Sequence, residues 1–198
     1  MRILFASPHR DLLECFKKLF EPDPGETVTA FDGTQVIYLL AKESFDAVIL
    51  DRHIQRVDSK EITERVQRKN IPVIILTYDS LSSHILTEEP VPNAYLPYPF
   101  DSEKIKAVIA NVLAKAAGAE IIKAGNTQIE VSKFRIKDGP GLTAEEIDVF
   151  KAVTEGKNVS EKDRVYISSL NAKFAKAGSD TRIKYRAKKG FEQVTENE

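Results

Sequence analysis

Residues Ala47 to Asp51 read Ala-Val-Ile-Leu-Asp, an unbroken apolar run that stops on one carboxylate and passes into Arg52-His53-Ile54-Gln55-Arg56. A strand that is apolar on both faces needs cover on both faces, which is the situation in a parallel sheet sandwiched between helices. Asp51 then stands at the carboxyl end of its strand, the edge where open α/β sheets keep their sites. A carboxylate there can accept a phosphoryl group, ligate a metal or cap the next turn.

The flanking sequence repeats the pattern. Ile3 to Ala6 is a short apolar run halted by Ser7-Pro8, and Leu12, Leu13, Phe16, Leu19 and Phe20 follow at helical spacing. Thr27 to Phe31 reads as a second strand, and Asp32-Gly33 opens a helix through Val36, Ile37, Leu39 and Leu40. After the Asp51 strand, Asp58 or Ser59 can cap a helix carrying Ile62 and Val66. Pro72 to Thr77 is a fourth strand, residues 79 to 87 give only a weak helical pattern, and Asn93 to Leu96 is a fifth strand. Asp101 caps a helix whose stripe is Ile105, Val108, Ile109, Val112 and Leu113. Five strands alternating with five helices predict a doubly wound, five-stranded parallel sheet.

These residues resemble the receiver domains of two-component response regulators. The resemblance rests on Val48-Ile49-Leu50-Asp51, Val73-Ile74-Ile75-Leu76-Thr77 and Ala94-Tyr95-Leu96 followed by Pro99-Phe100. It implies that Asp51 occupies the phosphoacceptor position, Thr77 that of the switch hydroxyl and Tyr95 that of the aromatic switch residue. The chain departs from the family where the chemistry is most demanding. Ser7 and Pro8 stand where an acidic pair would hold Mg²⁺, and Tyr98 where a lysine would steady the acyl phosphate. Without those charges a transferring phosphoryl group lacks its main stabiliser. Asp51 is expected to be an inefficient phosphoacceptor, and neither a metal nor another cofactor is expected.

Composition narrows the remaining classes. Cys15 is the only cysteine, so an internal disulfide is excluded, and His9, His53 and His84 lack metal-ligand spacing. No apolar run approaches the roughly twenty residues that a membrane span requires. Met1-Arg2 leads directly into a strand-like run, which predicts no signal peptide and a cytoplasmic protein. The formal net charge is −1, but residues 160 to 191 hold 9 basic and 3 acidic side chains, a local excess of six positive charges.

Ala114-Lys115-Ala116-Ala117-Gly118-Ala119 is a small-residue hinge that divides the chain into a receiver-like domain, 1–117, and a second domain, 119–198. Glu120 to Lys123, Gln128 to Val131 and Lys133 to Lys137 predict three antiparallel strands separated by the turn signals Gly125-Asn126 and Asp138-Gly139. Thr143 with Glu146 is a capping-box spacing for a helix that Gly156 ends. Ser160 with Asp163 repeats it for a second helix on which Ile167, Leu170 and Phe174 share a face. Arg182, Lys184, Arg186 and Lys188 alternate with Ile183, Tyr185 and Ala187, the pattern of a half-buried strand with a cationic outer face. Gly190 to Val194 returns as its hairpin partner.

Sheet, two helices and a basic hairpin resemble the winged helix-turn-helix of OmpR-type response regulators. The resemblance is carried by Leu142 to Glu146, Tyr166 to Phe174 and Ile183 to Phe191. It implies a recognition helix over 164–176 and a wing over 182–189, with Ser168, Ser169, Asn171, Lys173, Lys176, Arg182, Lys184, Arg186, Lys188 and Lys189 as the DNA-contacting residues. Almost nothing remains between Gly156 and Ser160 of the family's middle helix, and serine, asparagine and alanine stand where arginine or lysine is frequent. The expectation is an atypical, phosphorylation-independent response regulator without catalytic activity, homodimeric through the receiver-like domain, acting on double-stranded DNA. The alternative is a signalling adaptor that uses both domains for protein contacts.

Overall fold

The structure is a computed structural model that describes residues 1–20, 27–118, 120–186 and 190–195. The chain forms two compact units, one of residues 1–80 and 92–113, the other of residues 81–91 and 114–198.

The first unit is built on β1 (Ile3–Ala6), β2 (Thr27–Ala30), β3 (Ala47–Asp51), β4 (Val73–Thr77) and β5 (Ala94–Pro97), all parallel in the order β2-β1-β3-β4-β5. Every residue of β1, β3 and β4 is buried. Helices α1 (Arg10–Leu19), α2 (Gly33–Lys42), α3 (Ser59–Gln67) and α5 (Ser102–Ala117) supply the cover that such strands demand. From α1, Leu13 and Phe16 are buried, and Phe16 stacks on Phe5 of β1 at 4.0 Å. The buried faces of the others are Val36 and Leu40, Ile62 and Val66, and Ile105, Ile109 and Val112. Each such aliphatic side chain contributes about 1.5–3 kcal/mol of transfer free energy. The expected caps form: Asp32 accepts from the Gln35 N–H at 2.9 Å, Asp58 from Lys60 at 2.7 Å and Asp101 from Lys104 at 2.7 Å. Gly33 is required by packing, because a Cβ there would lie 2.7 Å from Cβ of Val57.

The weak helical pattern between β4 and β5 becomes the short α4 (Ser83–Thr87), and residues 81–91 belong to the second unit. The expected division at Gly118 placed them in the first. Leu86 and Val91 are buried, α4 packs against α7 (Arg164–Lys176), and Glu89 pairs with Lys176 at 3.5 Å. Their apolar positions are too few to mark one face, so periodicity could not assign them.

The rest of the second unit opens with β6 (Ile121–Ala124) and β7 (Thr127–Glu130), joined by an antiparallel hairpin. The strand expected over Lys133 to Lys137 is interrupted. A 3₁₀ turn at Val131–Lys133 ends on Phe134 in the left-handed region, φ 48°, and only β8 (Arg135–Ile136) pairs with β7. Burial of the Phe134 ring and a 2.6 Å bond from the Leu142 N–H to the Phe134 carbonyl hold the bend.

Helix α6 (Ala144–Thr154) starts on the Thr143–Glu146 capping box. It ends on Gly156, φ 67°, with the Lys157 N–H bonded to the Ala152 carbonyl at 2.8 Å and that of Gly156 to Val153 at 3.1 Å. Those paired bonds satisfy the last carbonyls of the helix. The Ser160–Asp163 box forms as well, but it opens a 3₁₀ turn at Glu161–Asp163 that leads straight into α7. Phe150 and Phe174 meet edge to face at 5.1 Å between α6 and α7. Strands β9 (Thr181–Arg186) and β10 (Gly190–Thr195) close the unit as an antiparallel hairpin. Among the described residues no helix is long and apolar enough to cross a membrane.

Candidate functional site

In the first unit, β1 and β3 are neighbours and the winding of the sheet reverses between them, which opens a crevice at their carboxyl ends. Asp51 lies at that point and is fully buried. Its Oδ2 accepts a hydrogen bond from Ser7 Oγ at 2.8 Å, and its Oδ1 accepts from the backbone N–H of His53 at 2.9 Å. Ser7 Oγ in turn accepts from the His9 N–H at 3.2 Å. A hydroxyl and half-buried Pro8 therefore occupy the tip of β1, and neither offers the negative oxygen that a hard cation needs. Among the described residues no group of three or more His, Cys, Asp or Glu side chains is placed to hold a metal ion.

Thr77 is buried at the end of β4, and its Oγ1 accepts from the Asp79 N–H at 3.1 Å. Tyr95 is buried on β5. Tyr98 follows β5 half-exposed, so a phenol stands where the resemblance would place an ammonium group. It meets Tyr78, which the sequence did not single out, at 5.1 Å between ring centroids. Burial, reinforced by the charge of Asp51 and by Tyr98, pushes the Tyr78 phenol above its ordinary pKa. His9 and His53 approach the same ring at 6.2 and 6.3 Å. These residues follow directly on strand ends, and that position was the available signal.

In the second unit, the polar residues of α7 divide into two groups. Lys173 is 2% exposed and donates to Oε2 of fully buried Glu146 at 2.7 Å. Glu146 also accepts from the Thr143 N–H at 2.8 Å and from Ser169 Oγ at 2.6 Å. Burial lowers the Lys173 pKa, against the pull of Glu146. Asn171 bridges to β9, accepting from the Ile183 N–H at 2.8 Å and donating to the Ile183 carbonyl at 3.0 Å. Ser169, Lys173 and Asn171 were expected at a DNA surface; their polar atoms are instead committed to partners inside the unit.

The outward face of α7 carries Ser168, Ala172, Ala175 and Lys176. Lys184 is exposed on β9 while Ile183 is buried, so the strand alternates as its sequence predicts. Arg182 is half-buried, its Nη1 donating to the carbonyls of Ser179 and Thr181 at 2.8 and 2.7 Å. Arg186 lies within β9, whereas Lys188 and Lys189 fall outside the described residues. In the same unit, Glu145, Asp148, Val149, Asp163 and Tyr166 line an open depression of about 390 Å³. Burial pushes the Glu145 carboxyl up to about 7.

No family model matches the chain. Over 121 residues, 60% of its length, the chain is 27% identical to the transcriptional regulatory protein TctD of Salmonella typhimurium. The chain spans about half the length of the curated relatives it matches. A solved response regulator receiver domain from Clostridium thermocellum is 25% identical, superposes with a TM-score of 0.50, and covers 57% of this chain and 94% of its own. A mutant of RitR superposes over 98% of this chain and 99% of its own with a TM-score of 0.64 at 17% identity, a likeness of fold alone. The first unit has the receiver fold, and the chain is similar to response regulators.

Proposed function

We propose that the chain is an atypical response regulator that works without an acyl phosphate and controls transcription by binding double-stranded DNA, with no catalytic step of its own. The observation that carries the first half is the setting of Asp51. Its carboxylate is buried against Ser7 and the His53 N–H, and neither Ser7, Pro8 nor Tyr98 supplies a Mg²⁺ ligand or a fixed cation. The name of TctD, a transcriptional regulatory protein, supports the second half.

On this reading Arg182, Lys184, Arg186, Lys188 and Lys189 follow a phosphate backbone, and α7 presents Ser168 and Lys176 to the groove. Its small outer residues, Ala172 and Ala175, let the helix enter without a clash. The protein acts in the cytoplasm as a homodimer. On this reading the dimer forms through the fourth helix, fifth strand and fifth helix of the receiver-like domain, with β5 and α5 carrying most of the contact because α4 is engaged by α7. Sedimentation of the full chain at tens of micromolar tests that surface, a solely monomeric protein being the contrary result.

Binding to genomic DNA fragments across a salt series tests the reading. Each neutralised phosphate contributes about 0.9 to the slope of log K against log salt, so a DNA-binding protein weakens steeply as salt rises. The adaptor reading is favoured by one observation: Ser169, Asn171 and Lys173 are held internally, leaving few long side chains on α7 for base edges. Absence of binding at low salt would select it.

A further inference from the structure

We propose that the aromatic crevice at the carboxyl end of the first unit's sheet binds a small planar aromatic cation, of the amidine or protonated aminoheterocycle class. The crevice lies at the β1/β3 reversal, where doubly wound sheets take ligands between strand ends. Rings converge there from four strand ends: His9 after β1, His53 after β3, Tyr78 after β4, and Tyr98 with Phe100 after β5. Tyr78 and Tyr98 are 43% and 50% exposed, two of the few large apolar side chains left open to solvent among the described residues.

The shape of the ligand follows from ring geometry. Tyr78 and Tyr98 touch at 5.1 Å with a 43° tilt, and Phe100 meets Tyr98 edge-on at 5.8 Å. Rings in mutual contact leave no slot for a bulky quaternary ammonium group. Each of the two tyrosine rings is partly open to solvent, which suits a flat ligand stacked on one of them. The charge of the ligand follows from Asp51. Its carboxylate accepts from neutral donors, Ser7 Oγ and the His53 N–H, and among the described residues these bonds bring it no cationic partner. Burial raises the Tyr78 phenol pKa, and the nearby Asp51 charge adds to that rise. Ring faces and a buried carboxylate both favour a cation and repel an anion. This site stands on the first unit alone and does not depend on DNA binding by the second.

The test is calorimetric titration of the full chain with benzamidine, its neutral analogue benzamide and the anion benzoate. Benzamidine is expected to bind at least about tenfold more tightly than benzoate, with benzamide between them. Tyr78→Leu and Tyr98→Leu should each weaken benzamidine about fivefold or more, whereas Tyr78→Phe, which keeps the ring, retains it. Tyr38→Leu, at an exposed tyrosine on α2, should change nothing. Melting curves establish that each variant is folded. Equal affinity for the three probes, no benzamidine binding at millimolar concentration, or undiminished binding in folded Tyr78→Leu and Tyr98→Leu would overturn the proposal. So would loss of binding in Tyr78→Phe.

Discussion

Ser7 Oγ donates a 2.8 Å hydrogen bond to Oδ2 of Asp51, tying the tips of β1 and β3 through a hydroxyl and a carboxylate that are both buried. The bond satisfies one lone pair of the aspartate without contributing charge, which distinguishes this site from one built to hold Mg²⁺.

Asp51 is therefore expected to resist phosphorylation. Incubation with a small-molecule phosphodonor and Mg²⁺, followed by intact-mass measurement, should show no stoichiometric phosphoryl adduct. Restoring the missing charges together, as S7D, P8D and Y98K, should raise uptake in a folded variant. Stoichiometric modification of the parent that disappears in Asp51→Ala would refute the assignment.

Lys173→Met should be among the most damaging single substitutions in the second unit. It leaves Glu146 fully buried without its ammonium partner, a situation that costs about 3–5 kcal/mol. Adding Glu146→Gln removes the orphaned charge while keeping an acceptor for the Thr143 N–H, and should recover much of the loss. Urea unfolding of the single and double variants measures both.

Glu145 supplies a pH signature. Its carboxyl titrates at about 7 in the folded chain against an ordinary 4.5, so between those values the folded state holds a proton that the unfolded state has released. The stability it contributes is complete below about pH 4 and is lost as pH rises through about 7. The melting temperature of the parent relative to Glu145→Gln should fall between about pH 5 and about pH 8. A pH-independent difference would contradict the assignment.

DNA binding should separate the outward residues from the internal ones. Lys184→Ala is expected to weaken all sequences about equally and to lower the salt slope by about 0.9. Ser168→Ala should alter sequence preference at unchanged slope. Asn171→Ala should act through stability, releasing two backbone groups of Ile183 at about 1–3 kcal/mol, and should leave sequence preference alone. Footprinting with chemical denaturation distinguishes the three outcomes.

What the sequence determined by itself was the local and the periodic. The five parallel strands and the position of Asp51 follow from apolar runs that only a covered sheet can bury, as at β3 and β4. The caps at Asp32 and Thr143 and the helix stop at Gly156 follow from spacings of a few residues, and each forms as its spacing predicts. The tertiary structure alone decided which polar residues face outward. On α7, Ser168 and Ser169 are neighbours of the same type, yet Glu146, 23 residues away from Ser169, draws only the latter inside. Lys173 is buried in the same way by a partner on α6, the amide of half-buried Asn171 is engaged by β9, and residues 81–91 join the second unit through α7. Periodicity records which face of an element is apolar, but a buried hydrogen bond depends on a partner brought near by folding, and nothing in local spacing encodes that partner.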